Sequence, residues 1–268
     1  MSPGGWSSDP EGAEGEGVVL YHAAGGVATL LLNRPDKRNA LNGEVVAALK
    51  AGLTAAALDP EVRVVLLRAQ GKDFCSGADL AELERIATLG PEANVEDASA
   101  LGDLFIALRR HPKPIVAAVH GRALAGGCGL ASACDLVLAR EDAAFAYTEV
   151  HLGFVAAMVM AILRRKMGEG RAFELVALGN RITAAEAHRL GLVNQVIPSA
   201  LWPGEVDAFV AELASRPPSA VSLTKRLLYG LDGVGFEDGI ARGAEVNALA
   251  RMTEACREGV RRFLSGSR

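Results

Sequence analysis

The sequence predicts an α/β protein with a helical C-terminal region. Three observations carry that reading. Apolar, β-rich runs alternate with helical stretches in the order strand, helix, strand, helix, strand as far as Ala139. The strand runs are nearly continuous in apolar residues, as in sheets covered on both faces. From Met158 onward the pattern is helical, apart from one extended run, LVNQVIP. Together they divide the chain into an acidic, Gly-rich flexible tail at 1–17, an α/β core at 18–197 and a helical region at 198–268.

Val18–Tyr21 and Val27–Asn33 flank AAGG and read as a hairpin. After the polar loop RPDKRNA, Asn42 is placed to cap a helix running to about Leu58. Val62–Ala69 is a buried strand, followed by the loop GKDFCSGAD and helical segments from Leu80 to Arg110. Pro112 and Pro114 end that helix before the strand Ile115–Gly121. A Gly-rich loop leads into a helix at GLASA, and Asp135–Ala139 is the next strand. Arg216–Pro218 starts a new element.

The 268 residues are 50% hydrophobic and 22% charged, with a formal net charge of -4, so there is material for a substantial core. There is no basic run, which argues against a nucleic-acid partner. No apolar run is long enough to span a bilayer, and the N-terminus lacks the basic-then-apolar pattern of a signal peptide. The 4 cysteines have no CxxC spacing and read as buried thiols of a reducing compartment. The expectation is a soluble cytoplasmic protein. The histidines are scattered, and no cluster has metal-ligand spacing, so no metal is expected.

GRALAGGCGLASACD, Gly121–Asp135, is the stretch that asks for a chemical explanation, because glycines clustered where a helix begins are costly in a helix interior and point to something that approaches the backbone closely. A dinucleotide loop fits poorly: Gly127-x-Gly129-x-x-Ser132 is a near miss to GxGxxG and does not directly follow a strand. A nucleophilic hydrolase has no GxSxG, and Cys128 would need His120 or His151 as base. The third reading is an oxyanion hole, in which two backbone N–H groups on separate loops converge on one thioester oxygen. It requires a second loop, and DFCSGADL, Asp73–Leu80, is the candidate.

LNRPDKRNAL, FCSGADL, ALAGGCGLASACD and FAYTEVHLG, in this order from about Val18 onward, resemble the crotonase superfamily, the enoyl-CoA hydratase/isomerase group. The resemblance implies a crotonase-like spiral of ββα units with a C-terminal helical trimerisation region, forming a homo-trimer or hexamer. It implies an acyl-CoA substrate and no separate cofactor, coenzyme A being part of the substrate. The oxyanion N–H groups fall on Ala78 and Gly126. Gly127 and Gly129 let the thioester lie against backbone, Arg38 sits near the coenzyme A phosphates, and Ala40, Asp79 and Leu80 near the adenine and pantetheine. Asp135 falls at a structural, hydrogen-bonded position.

Many hydratases of the family use two glutamates. The second corresponds to Glu149, but the first corresponds to Gly129, which has no side chain. Ala156-Ala157 replaces the usual Pro-Gly, and the bulkier Met158 and Met160 follow and read as core fillers. Glycine at the first acid position resembles methylglutaconyl-CoA hydratase-like members. The favoured expectation is therefore hydration of a 2-enoyl-CoA with Glu149 as the single acid/base. The alternatives are an enoyl-CoA isomerase that shuttles one proton, a non-catalytic acyl-CoA binder and a thioester hydrolase.

Overall fold

The structure, a computed structural model, describes residues 16–266. Of the N-terminal tail, residues 1–15 lie outside the described residues. Strands β1 (Val19–Ala24) and β2 (Val27–Leu32) form the expected antiparallel hairpin, closed by Gly25 and Gly26 at φ 58° and 84°. A positive φ at both central turn residues matches the right-handed twist of the strands, and glycine adopts it without a Cβ clash. Helix α1 (Gly43–Leu58) begins where Asn42 Oδ1 accepts from the Val45 N–H at 2.9 Å. Strand β3 (Val64–Ala69), helices α2 (Leu80–Ile86) and α3 (Pro91–Arg110), and strand β4 (Ile115–Val119) follow.

Beyond β4 the backbone has finer detail than sequence periodicity reveals. The short strand β5 (Arg122–Leu124) precedes helix α4 (Gly126–Ala133), which starts at Gly126 rather than at Gly129. Strand β6 (Leu136–Arg140), strand β7 (Ala144–Ala146), helices α5 (Ala157–Lys166) and α6 (Glu169–Leu178), strand β8 (Ile182–Thr183), helix α7 (Ala184–Arg189) and strand β9 (Gln195–Ile197) complete the spiral. Helices α8 (Trp202–Ser215), α9 (Pro218–Gly230), α10 (Phe236–Met252) and α11 (Glu254–Leu264) form the C-terminal part. Three-residue strands are too short to show a period of two, so β5 and β7 leave no readable pattern.

The main sheet has the order β1-β2-β3-β4-β6-β9, parallel except for the β1–β2 pair, and a smaller sheet runs β5-β7-β8. Alternation along the strands supplies both faces. Leu30, Leu32, Val65, Leu67 and Ala117 pack in the larger core with α1, whereas Val64, Leu66, Val116 and Ala118 meet Trp202, Val206 and Val210 of α8. Cover on both sides is why these strands read as unbroken apolar runs.

Beyond α8, which packs on the sheet, helix α9 is fastened to the core through a buried lysine. Lys225 of α9 is 8% exposed, and its Nζ donates to Asp135 Oδ2 at 2.7 Å and to the carbonyls of Leu108 and Lys113. Asp135 also accepts from the Tyr229 hydroxyl and the Ile115 N–H, both at 2.7 Å, so its carboxylate is fully used in structure. Beyond α9 the burial ends. Helices α10 and α11 bury no residue, and Phe236, Ile240, Met252 and Phe263 are exposed. No helix among the described residues is long and apolar enough to cross a membrane.

Candidate active site

The loop from Asp73 to Asp79 lies alongside β5. Phe74 and Cys75 donate their N–H groups to the carbonyls of His120 and Arg122 at 3.0 Å, and Leu124 N–H returns a bond to Cys75 O at 2.9 Å. Arg122 clamps Asp73 through two side-chain bonds of 2.6 and 2.7 Å. That clamp holds the Asp73 carboxyl below its usual range. This strand-like stitching brings the GAD turn against the start of α4. A Cβ added to Gly77 would lie 2.9 Å from Ala125 Cβ and 3.7 Å from Gly126 N. Gly77 also holds φ 97°, so glycine is required there twice over.

Ala78 owes its orientation to Leu41. Leu41 N–H donates to Gly77 O at 2.7 Å, and Leu41 O accepts from Asp79 N–H at 2.9 Å. In such a parallel bridge one residue bonds the neighbours on either side of its partner, and the partner's own N–H points the other way. The partner is Ala78, which is exposed, and its N–H donates to no protein group among the described residues. Gly126 is the first residue of α4, where an N–H has no intrahelical acceptor and the positive end of the helix stands behind it. Both expected donors are thus unpaired and on adjoining segments. Ala125, before Gly126, has φ 48° and ψ -125°, a strained conformation for an L residue, and is held there by its N–H bond to Ala146 O at 2.8 Å.

Glu149 opens a 3-10 helix, Glu149–Leu152, just past β7, closed by Gly153 at φ 76°. Its side chain is half-buried, and burial raises the carboxyl above its ordinary value, with a bond from its own backbone opposing the shift. Its Oε2 is the one buried side-chain oxygen or nitrogen among the described residues without a hydrogen-bond partner. The Ala146 carbonyl, three residues before Glu149, accepts from Ala125 N–H at 2.8 Å, so the segment leading to the acid runs against the start of α4.

The remaining expected residues divide. Arg38 is exposed, and its carbonyl accepts from Ser76 N–H at 3.0 Å, so its loop is tied to the GAD turn. Ala40 is buried and gives its carbonyl to Arg34 at 2.7 Å. Leu80 starts α2. Asp79 bonds Arg34 at 2.8 Å and caps α2 through the Ala81 N–H, so its carboxylate does structural duty. Gly127 and Gly129 are buried where neighbouring atoms crowd the position of a side chain. A Cβ on Gly127 would stand 2.5 Å from Cys75 O, and one on Gly129 would stand 2.8 Å from Val159 Cγ1 and 3.0 Å from Phe105 Cζ. His151 bonds Leu178 O through Nε2 at 3.1 Å, and Met158 packs on the main core.

Sequence reasoning passed over Asn39 and Arg34. Asn39 is 1% exposed at φ 54°, and its side chain bonds the carbonyls of Gln70 and Asp73 and the Arg34 N–H. An asparagine inside a charged loop is the available signal, since Asn tolerates the left-handed region. Tyr147 and Ser132, whose oxygens lie 2.6 Å apart beneath the site, left no signal because no motif links them.

A family model described as enoyl-CoA hydratase/isomerase matches residues 22–265. A Thermus thermophilus protein, provisionally named an enoyl-CoA hydratase, is 46% identical over 239 residues, 89% of this chain and 94% of its own length. The Escherichia coli protein named 2,3-dehydroadipyl-CoA hydratase is 35% identical over 243 residues, covering 89% of this chain and 92% of its own. The crystal structure of an enoyl-CoA hydratase from Mycobacterium smegmatis matches with a TM-score of 0.90 at 35% identity, covering 94% of this chain and 98% of that one. With the family model running from the first hairpin to the last helix, the chain belongs to the enoyl-CoA hydratase/isomerase family of the crotonase superfamily.

Proposed function

We propose that the protein adds water to a 2-enoyl-CoA thioester, with Glu149 as its single acid/base and the Ala78 and Gly126 N–H groups as the oxyanion hole. The observation that carries this reading is the buried, unpartnered Oε2 of Glu149, on the segment whose Ala146 O accepts from Ala125 N–H at the start of α4. A buried polar atom without a partner is costly and calls for a reason, and a reacting water or carbon is one. Burial also moves the carboxyl toward the range in which it exchanges protons readily near neutrality.

The steps follow from the chemistry of the thioester. Ionised Glu149 takes a proton from a water as the water oxygen bonds to the carbon β to the carbonyl. Electrons move through the former double bond onto the thioester oxygen, where the two N–H groups stabilise the enolate; one such donor is worth about 3–4 kcal/mol in barrier. Protonated Glu149 then returns its proton to the α carbon, restoring the carbonyl. Coenzyme A belongs to the substrate, and the exposed Arg38 side chain is the candidate to meet its phosphates.

A second reading is favoured by Gly129, whose surroundings leave no room for a second acid. With one glutamate the least demanding reaction is isomerisation, in which Glu149 removes a proton from the α carbon of a 3-enoyl-CoA and delivers it to the γ carbon. In either case the uncovered apolar residues of α10 and α11 support assembly with further copies as a trimer or hexamer.

Product analysis separates the two. Purified protein is given crotonyl-CoA, 3-methylglutaconyl-CoA and a 3-enoyl-CoA separately. Hydration yields a product heavier by one water from a 2-enoyl substrate, and Glu149→Gln loses about 100-fold or more in rate while still binding acyl-CoA. Conversion of the 3-enoyl substrate at constant mass, with the others untouched, would replace hydration by isomerisation.

A further inference from the structure

We propose that Tyr147 and Ser132 form a positioning pair that holds the Glu149 carboxylate at its working distance from the Gly126 N–H. The proposal rests on the role given to Glu149 above. Tyr147 is fully buried between β7 and the 3-10 helix that Glu149 opens, and its hydroxyl lies 2.6 Å from Ser132 Oγ. Ser132 sits near the end of α4, the helix that Gly126 begins. The Ser132 hydroxyl has one proton and gives it to Cys128 O at 2.6 Å, so Tyr147 is the donor to Ser132.

The bond therefore joins the two segments on which the chemistry depends. The segment reaching Glu149 is tied to α4 twice, by Ala146 O accepting from Ala125 N–H at 2.8 Å and by Tyr147 on Ser132. The first tie fixes the strand end at the helix start. The second fixes the residue two positions before the acid against the body of the helix. A phenylalanine would fill the same apolar volume, so packing alone does not call for the hydroxyl. The titratable groups whose electrostatics include Glu149 are Cys128 from α4 and Tyr147 from its own segment. Burial holds the Cys128 thiol up at about 12 and raises the Tyr147 phenol well above its usual value, so both stay neutral. With neither supplying a charge, the pair acts on Glu149 by placing it.

The test compares Tyr147→Phe, Ser132→Ala and the double variant with wild type. Each single variant is expected to lower kcat on crotonyl-CoA about 10-fold or more, as misplacement of a reacting group does, with KM little changed. The double variant should be no slower than the worse single one, because both remove the same tie. Independently of turnover, the Glu149 titration is followed by carbon NMR with labelled glutamate. Its midpoint should fall toward the ordinary carboxylate value in Tyr147→Phe and Ser132→Ala, as the released side chain reaches water. A lowered melting temperature with kcat and the Glu149 midpoint both unchanged would overturn the proposal and leave the pair a packing feature. If wild type converts no enoyl-CoA, the hydration reading fails while the NMR midpoint still decides the positioning role.

Discussion

Gly126 and Gly129 lie about one turn apart on α4, and the chain uses them in opposite ways. Gly126 is half-buried with an unpaired N–H, and a Cβ there would meet Leu41 Cδ1 at 3.4 Å and Leu101 Cδ2 at 4.0 Å, ordinary contacts. Gly129 is buried, gives its N–H to Ala125 O at 3.0 Å, and has Val159 and Phe105 where a side chain would start. One glycine leaves its N–H open; the other lets α5 and α3 close on α4. Small residues in one short run thus do two unrelated jobs, and only their three-dimensional surroundings tell them apart.

The largest way to break this contrast is at Gly126. Gly126→Val places branched methyls on the proposed oxyanion donor, and a loss of about 100-fold in kcat/KM is expected, the scale of a lost oxyanion donor. Gly126→Ala, whose Cβ finds only ordinary contacts, should fold like wild type and lose less. Unimpaired turnover of crotonyl-CoA by the valine variant would remove Gly126 from the oxyanion assignment.

Much of this was legible in the sequence, for physical reasons. Buried parallel strands announce themselves as apolar runs, and Asn42 announces a helix start because its side chain satisfies an orphan N–H. Glu149 stood out by its motif, and the structure gives it a buried, unpartnered oxygen. Position 129 was legible only as a missing acid. That its place is filled by Val159 and Phe105 depends on elements far along the chain, which no local pattern encodes. The Asp79 carboxylate, the Arg34 bond that occupies it and the Tyr147–Ser132 pair were hidden for the same reason. Side-chain partners separated by many residues leave no periodicity.

A smaller effect sharpens the packing half of the contrast. Gly129→Ala gains about 1 kcal/mol in helix propensity but inserts a methyl 2.8 Å from Val159 Cγ1. Overpacking a core costs about 1–3 kcal/mol, so chemical denaturation should show a net loss of stability. Val159→Ala in the same chain should recover part of it by opening the contact. A neutral or stabilising Gly129→Ala would mean that α5 yields freely and that the site has room for a second acid after all.

The smallest effect concerns Glu149 itself and carries its own sign. Burial raises its carboxyl, so over the interval between its ordinary and raised values the folded state holds a proton that the unfolded state has released. Stability therefore falls as pH rises through that interval, and below the ordinary value the penalty vanishes. Asp73 and Asp79 act in the opposite sense: their ion pairs with Arg122 and Arg34 lower their carboxyls, and their contribution is lost in acid. Only a difference between variants isolates Glu149. Glu149→Gln removes the titration while keeping the shape, so its denaturation midpoint should match wild type in acid and exceed it increasingly toward neutrality, levelling once wild-type Glu149 is ionised. A variant less stable than wild type at neutral pH would show that the carboxylate is stabilised where it sits. The lone oxygen would then be a structural group, and the contrast between an open Gly126 and a closed Gly129 would lose the acid that gives it a chemical meaning.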